Sequence, residues 1–166
     1  CAHWPFETPS CAILRPVIFA RMRVAAWRRS WLAPVARYAK LLIGSSRGTR
    51  EVMAHLADVE VAAAFRMRKI VAEPRPLLTA FDQEAWARAF RYPRQDPREV
   101  LDTFRAVRDS NLRILRSLSA AQKRRVGMHE EYGPIRLDQL AAHLAEHDLN
   151  HLNQIRQNLR SLASRQ

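Results

Sequence analysis

Residues 137–162, which read LDQLAAHLAEHDLNHLNQIRQNLRSL, decide the fold class of this chain. Apolar residues in this stretch, among them Leu140, Leu144 and Ile155, fall on one side when successive residues are placed about 100° apart, as in an α-helix. The two-residue alternation of a half-buried strand is absent from it. A long segment with one apolar stripe is typical of a helix that packs against other helices. We therefore predict a long amphipathic helix here, the last in this sequence.

Three further helices are predicted upstream, from the same spacing and from their boundary residues. Thr49 is a natural N-cap for one of them, and Pro74 and Pro76 lie just beyond its end. Asp96 followed by Pro97 is a strong start for another, because the carboxylate caps the helix and proline suits its first turn. With the last helix, the predicted segments cover approximately residues 24–42, 49–73, 97–118 and 137–162.

The segments between these helices set the architecture. Residues 73–96 form a long connection, in which a short helix is expected at 82–90. Residues 126–135, which include Gly127 and Gly133, are expected to form an irregular or hairpin-like loop. No set of strands is predicted. The sequence therefore predicts an all-α protein, a four-helix bundle with a long crossover between its second and third helices.

The formal charge of +12 is unevenly distributed. Residues 1–48 hold eight Lys and Arg residues and one Glu, whereas residues 49–166 hold twenty basic and fifteen acidic residues. Interleaved charges of both signs are typical of a solvated helix surface. No zinc finger, glycine-rich phosphate loop or aromatic RNA-binding motif accompanies the basic residues. We therefore favour a solvated helix surface over a surface that binds nucleic acid.

The N-terminal part differs from the rest in composition. Its first 35 residues contain three of the four tryptophans and both cysteines. We divide the chain into an atypical basic N-terminal segment at 1–44, which includes the candidate first helix, and a helical-bundle domain at 45–166. The two cysteines form no CxxC pair, so a reducing cytoplasm is the expected location. Arginines interrupt the apolar stretch at 11–27, so no membrane association is predicted.

Three of the six histidines lie in the last predicted helix. His147 and His151 fall inside its apolar stripe, whereas His143 falls at the edge. Two imidazoles four residues apart on one helix face can bind a single metal ion. A third ligand has to come from another helix, and His55 borders the apolar stripe of the second one. These three histidines therefore form a candidate divalent-metal site, for which zinc, nickel, iron and manganese are all suitable.

Acidic residues lie close to these histidines. Metal-bound histidines usually donate their second N–H to a carboxylate or a carbonyl group. Glu51 and Asp58 flank His55 at helical spacing, and Asp148 lies within the histidine pair of the last helix, so these three acids are candidates to orient the ligands. Spacing alone leaves the alternative that the histidines are packed or surface residues paired with acids. His129, in the loop, is expected to face solvent.

Two stretches of the chain resemble the DinB-like (YfiT-like) superfamily of metal-binding bundles. Residues 49–58, TREVMAHLAD, are similar to the motif of its second helix, and residues 143–155, HLAEHDLNHLNQI, to its C-terminal motif. The segments at 81–86 and 96–101 are similar to its middle part. The resemblance covers roughly residues 45–160, and the HDxxH within its histidine-rich context is the most specific part.

The resemblance implies an up-down-down-up four-helix bundle, often a homodimer, with one metal-binding histidine on the second helix and two on the fourth. Transferred residue by residue, these are His55, His147 and His151. It also implies a metal-dependent enzyme for a small-molecule substrate, of the thiol S-transferase or hydrolase class, with a low-molecular-weight thiol as cosubstrate. No catalytic residue is assigned. Residues 1–43 do not resemble the family's first helix, and the tryptophan usual just before the second helix is missing.

Two other functions remain open from the sequence. In the first, the metal only stabilises the packing of a structural or stress-associated bundle, and its removal lowers the thermal stability. In the second, the basic residues bind nucleic acid, and the affinity falls steeply with salt.

Overall fold

The computed structural model describes residues 47–164. The predicted first helix and the basic N-terminal segment lie outside this range. The elements are α1 (Arg47–Ala72), β1 (Leu77–Leu78), α2 (Gln83–Ala89), a 3-10 turn (Tyr92–Arg94), α3 (Pro97–Ser117), α4 (Ala120–Lys123), β2 (Val126–His129), β3 (Gly133–Arg136) and α5 (Leu137–Ala163). The three long helices lie where the sequence predicts the second, third and fourth helices, although Thr49, predicted as the N-cap of the second, lies within α1.

Local capping explains where the helices begin. The Asp96 side chain accepts a hydrogen bond from the backbone N–H of Arg98, 2.8 Å away, and Pro97 occupies the first turn of α3. Asp82 caps α2 in the same way by accepting from the N–H of Ala85 at 2.9 Å. Such caps satisfy N–H groups that have no partner within the helix. The predicted start of the third helix and the short helix in the connection are therefore confirmed.

Helix α1 lies at the centre of the described bundle, because it packs against both α3 and α5. Apolar side chains from all three helices form one buried core. Its members from α1 include Leu56, Ala63, Met67 and Ile70, and those from the other two helices include Phe104, Leu112, Leu140, Leu144 and Ile155. The apolar stripes read from the sequence therefore face one another.

The structure also contains a small three-stranded sheet, although the sequence predicted no strands. Strands β2 and β3 pair antiparallel, which confirms the hairpin-like loop, and β1 adds to β2 in parallel. Gly127 of β2 lies against the core, where an added Cβ atom would come within 2.8 Å of Leu78 Cδ1. The Arg125 guanidinium donates to the carbonyl oxygens of Ile70 and Glu73, at 2.9 and 2.8 Å. It thereby satisfies carbonyl groups at the C-terminal end of α1.

Within residues 47–164, no helix combines the length and the apolar character needed to cross a membrane.

Candidate metal centre

The structure brings His55, His147 and His151 together between two helices. His55 lies on α1, and the other two histidines lie one turn apart on α5. One nitrogen atom from each ring belongs to a group whose members all lie within 4.8 Å of one another. The ring centroids are 4.5–5.2 Å apart. His143, at the edge of the stripe in the sequence, is not a member of this group.

The distances within this group suit one divalent ion. Nε2 of His55 lies 3.1 Å from Nε2 of His147. Zinc–imidazole bonds are about 2.0–2.1 Å long, so two nitrogen ligands at a tetrahedral angle lie about 3.3 Å apart. The observed separation is therefore close to that of two ligands of the same ion. The third histidine lies within 4.8 Å, and a small side-chain shift brings it within the roughly 4.2 Å that separates two nitrogens on opposite sides of one ion.

The protonation state of these rings also suits a metal. Burial lowers the pKa of His55 to about 3, and the neighbouring His147 and His151 add to the effect. Burial also lowers the pKa of His151, although its hydrogen bond to Gln154 acts in the opposite direction. Both rings are therefore neutral near pH 7, and a neutral imidazole has one nitrogen lone pair available for a cation.

Asp148 links this histidine cluster to a buried charge network that the sequence analysis missed. One carboxylate oxygen, Oδ1, lies 3.7 Å from Nδ1 of His147, an electrostatic contact longer than a hydrogen bond. The other, Oδ2, accepts a hydrogen bond from Arg108 Nη2 at 2.7 Å. The same Nη2 atom donates to Glu60 Oε2 at 2.6 Å, and Asn111 donates to Glu60 Oε1 at 2.8 Å. All four side chains of this network are buried.

The attraction of two carboxylates to one guanidinium holds the network together. Burial lowers the pKa of Arg108, but Asp148 and Glu60 outweigh that effect, and the net shift is upward. The guanidinium also lies over the ring of Phe104, 4.7 Å from its centroid. One cation is thus shared between two buried carboxylates, one of which faces a histidine of the cluster. A signal was present in the sequence, because Glu60, Arg108 and Asn111 interrupt the apolar stripes of their helices.

The other two candidate acids lie in different surroundings. Asp58 accepts a hydrogen bond from the hydroxyl group of Tyr92 at 2.5 Å, which fixes the 3-10 turn against α1. Burial, and then this hydrogen bond, raise the pKa of Tyr92. Glu51 is partly buried in the first turns of α1. The structure thus gives Asp58 a role in packing and places Asp148 against a histidine of the cluster.

His129 is buried, so the expectation that it faces solvent is wrong. Its side chain is 5% exposed, and its Nδ1 atom accepts a hydrogen bond from the backbone N–H of Glu131 at 3.2 Å. Its ring packs on Tyr132, with centroids 4.7 Å apart. His129 was expected to lie in an exposed loop, but it lies in strand β2, whose residues are alternately exposed and buried.

This burial predicts a pH-dependent stability of the hairpin. Burial, Arg66 and His143 lower the pKa of His129 from 6.5, while Glu130 and Glu131 raise it. Because the net shift is downward, the unfolded state binds its proton first, and the stability falls as the pH drops below about 6.5. In His129→Asn, the side-chain amide oxygen can accept the hydrogen bond from Glu131 that Nδ1 accepts in the parent, but the amide does not titrate. We expect urea unfolding between pH 7.5 and 5 to show a steeper loss in the parent than in this variant, and equal slopes would contradict the assignment.

Comparison with known proteins places these features in a family. The sequence model of the DinB superfamily matches residues 43–155. A protein from Oceanobacillus iheyensis named "Putative metal-dependent hydrolase" is 30% identical over 107 residues, which cover 64% of this chain and 61% of that relative. One of the same name from Halalkalibacterium halodurans is 24% identical over 115 residues, or 69% of this chain and 67% of the relative.

A solved structure shows the same fold. YfiT from Bacillus subtilis, described as "a probable metal-dependent hydrolase with an unusual four-helix bundle topology", superimposes with a TM-score of 0.75 at 18% sequence identity. The match covers 97% of this chain and 94% of YfiT. The predicted four-helix bundle is therefore confirmed. Since the family model matches well over half of the sequence, this chain belongs to the DinB superfamily.

Proposed function

We propose that this protein is a metal-dependent enzyme that binds one divalent ion through His55, His147 and His151 and transfers a group from a small-molecule substrate to water or to a thiol. The observation that carries the proposal is the convergence of three imidazole nitrogens within 4.8 Å between two helices. The names of the relatives from Oceanobacillus iheyensis and Halalkalibacterium halodurans support a hydrolase.

The donor set favours catalysis over a closed structural site. Structural zinc sites use four protein ligands, whereas catalytic sites keep three and leave a position for water or substrate. Among residues 47–164, the group of potential ligands comprises three histidines and no fourth Cys, Asp or Glu. A divalent ion in such a site lowers the pKa of a bound water or thiol, which supplies a nucleophile near pH 7.

The protein's own residues hold and orient this site. Helix α1 supplies one imidazole and α5 two, so the packing of these helices sets the ligand positions. Asp148 faces Nδ1 of His147 and favours the proton on that nitrogen, which leaves the Nε2 lone pair directed at the cluster. Arg108 fixes Asp148 in turn through its 2.7 Å hydrogen bond.

The transferred group has two candidate acceptors, water and a thiol. Hydrolysis uses water, whereas the S-transfer implied by the resemblance uses a low-molecular-weight thiol. Both reactions require the same property of the ion, and they differ only in which molecule occupies the free position.

Activity assays with defined metals test the proposal. We expect protein loaded with Zn²⁺, Ni²⁺, Fe²⁺ or Mn²⁺ to turn over ester, amide or alkylating electrophiles, with the rate lost on chelation and restored by adding the metal back. Each substrate is assayed with and without a thiol, because a rate that requires the thiol identifies S-transfer and a rate that does not identifies hydrolysis. Turnover no higher than in His151→Ala for every metal and acceptor would contradict an enzymatic role.

A further inference from the structure

Gln154 makes a directed contact with one histidine of the cluster. It lies three residues after His151 on α5, so the two side chains share one side of the helix. Its amide oxygen Oε1 lies 2.9 Å from Nδ1 of His151. An amide oxygen only accepts hydrogen bonds, so Nδ1 has to carry the proton. Because a neutral imidazole carries one N–H, the lone pair is then on Nε2.

The other nitrogen of the ring is the one left available to the cluster. Nε2 of His55 and Nε2 of His147 already face each other at 3.1 Å. The ring of His151 forms T-shaped contacts with both, with centroid distances of 4.8 and 4.5 Å. With Nδ1 of His151 engaged by Gln154, its Nε2 atom completes a set of three Nε2 ligands.

We propose that Gln154 is a positioning residue that fixes His151 as the Nδ1–H tautomer and so presents the Nε2 lone pair to the metal. The proposal rests on the metal site proposed above. In water, neutral imidazole favours the opposite tautomer, with the proton on Nε2. In that tautomer the Nε2 atom cannot bind a metal without losing its proton. The hydrogen bond made by one ring nitrogen decides which nitrogen is free, and here an exposed residue on the helix surface makes that bond.

Because Gln154 is exposed, its substitution tests the hydrogen bond without disturbing the packing of the core. Gln154→Ala removes the acceptor without opening the core, and Gln157→Ala, one turn further along α5 and also exposed, is the matched control. Nitrogen-15 NMR of the imidazole rings in metal-free protein at pH 8 reads the tautomer directly. We expect His151 to be the Nδ1–H tautomer in the parent and in Gln157→Ala, and to shift towards the Nε2–H tautomer in Gln154→Ala.

Metal affinity is the second readout. With Zn²⁺ and a competing chelator, we expect Gln154→Ala to bind about 10- to 100-fold more weakly than the parent, the usual range for a partner of a metal-bound histidine. Gln157→Ala should bind like the parent, and Gln154→Glu, which also offers an acceptor, should retain both the tautomer and the affinity.

The outcomes separate this inference from the proposed function. A parent with His151 as the Nε2–H tautomer would mean that the amide is rotated and would overturn the inference. So would a Gln154→Ala variant with the affinity of the Gln157→Ala control. If the parent itself binds no metal, the proposed function fails, while the NMR measurement still decides whether Gln154 sets the tautomer.

Discussion

Replacing His147 and His151 together by alanine should abolish metal binding while leaving the helical fold in place. The parent, exposed to Zn²⁺ and then freed of excess metal, should retain about one equivalent per chain, and the double variant should retain almost none. The measurement is metal content by mass spectrometry, with circular dichroism to follow the helices.

The size of the expected effect follows from the number of ligands lost. The apparent binding free energy of a four-ligand zinc site is about 10–16 kcal/mol, or roughly 3 kcal/mol for each ligand. Removing two of three histidines should therefore weaken binding by at least about 10⁴-fold. The double variant keeps only one nitrogen ligand, that of His55 on α1. The helices should persist because the substitutions leave the apolar core shared by α1, α3 and α5 unchanged.

His143→Ala is the matched control. It removes a histidine from the same helix, one turn before His147, that is not a member of the cluster. We expect this variant to keep the metal. A parent that takes up no metal, or a double variant that retains it, would contradict the site, and the histidines would then be packing residues.

Stability measurements alone do not distinguish a catalytic ion from a structural one. Any ligand bound only by the folded state stabilises it, by about 4 kcal/mol at a thousand times its Kd. Chelation should therefore lower the melting temperature whether the ion is catalytic or structural. The discriminating property is the free coordination position, because a site with three protein ligands exchanges a small anion or thiol on the ion and a closed structural site does not.

The parts of this fold that the sequence predicted are those encoded over short distances. Helix starts depend on residues within one turn, as at Asp96 and Pro97, and the apolar stripes depend on residues three and four apart. The pairing of two histidines on α5 is also local. Placing His55 opposite them required the two stripes to face each other, which the bundle architecture implies.

The parts that were missed depend on contacts between distant segments. Strand β1 is only two residues long, too short to show an alternating pattern, and its partner β2 lies about fifty residues later in the sequence. The burial of His129 follows from that pairing. Likewise, Glu60 and Arg108 interrupt the apolar stripes of α1 and α3, and only the packing of those helices makes them partners.

Removing the cation of the buried network should have the largest effect on stability. Arg108→Met leaves Glu60 and Asp148 in the core without their shared counter-charge, since the guanidinium bridges them at 2.6 and 2.7 Å. Breaking a buried ion pair by removing one partner costs about 3–5 kcal/mol. That is a large fraction of the roughly 5–15 kcal/mol by which a domain is stable. We expect urea unfolding of the metal-free protein to show this loss.

Arg105→Ala provides the comparison on the same helix. Arg105 pairs with Asp102 at 3.4 Å at the surface, where the aspartate side chain is 76% exposed, so its loss should cost less than about 1 kcal/mol. A second substitution identifies the cause of the larger effect. Glu60→Gln removes one of the two carboxylate charges that Arg108→Met leaves without a counter-charge. It should therefore lower the free energy of unfolding less in the Arg108→Met background than in the parent. If Arg108→Met costs no more than Arg105→Ala, or if the two substitutions add independently, charge compensation does not hold α1, α3 and α5 together at this level of the bundle.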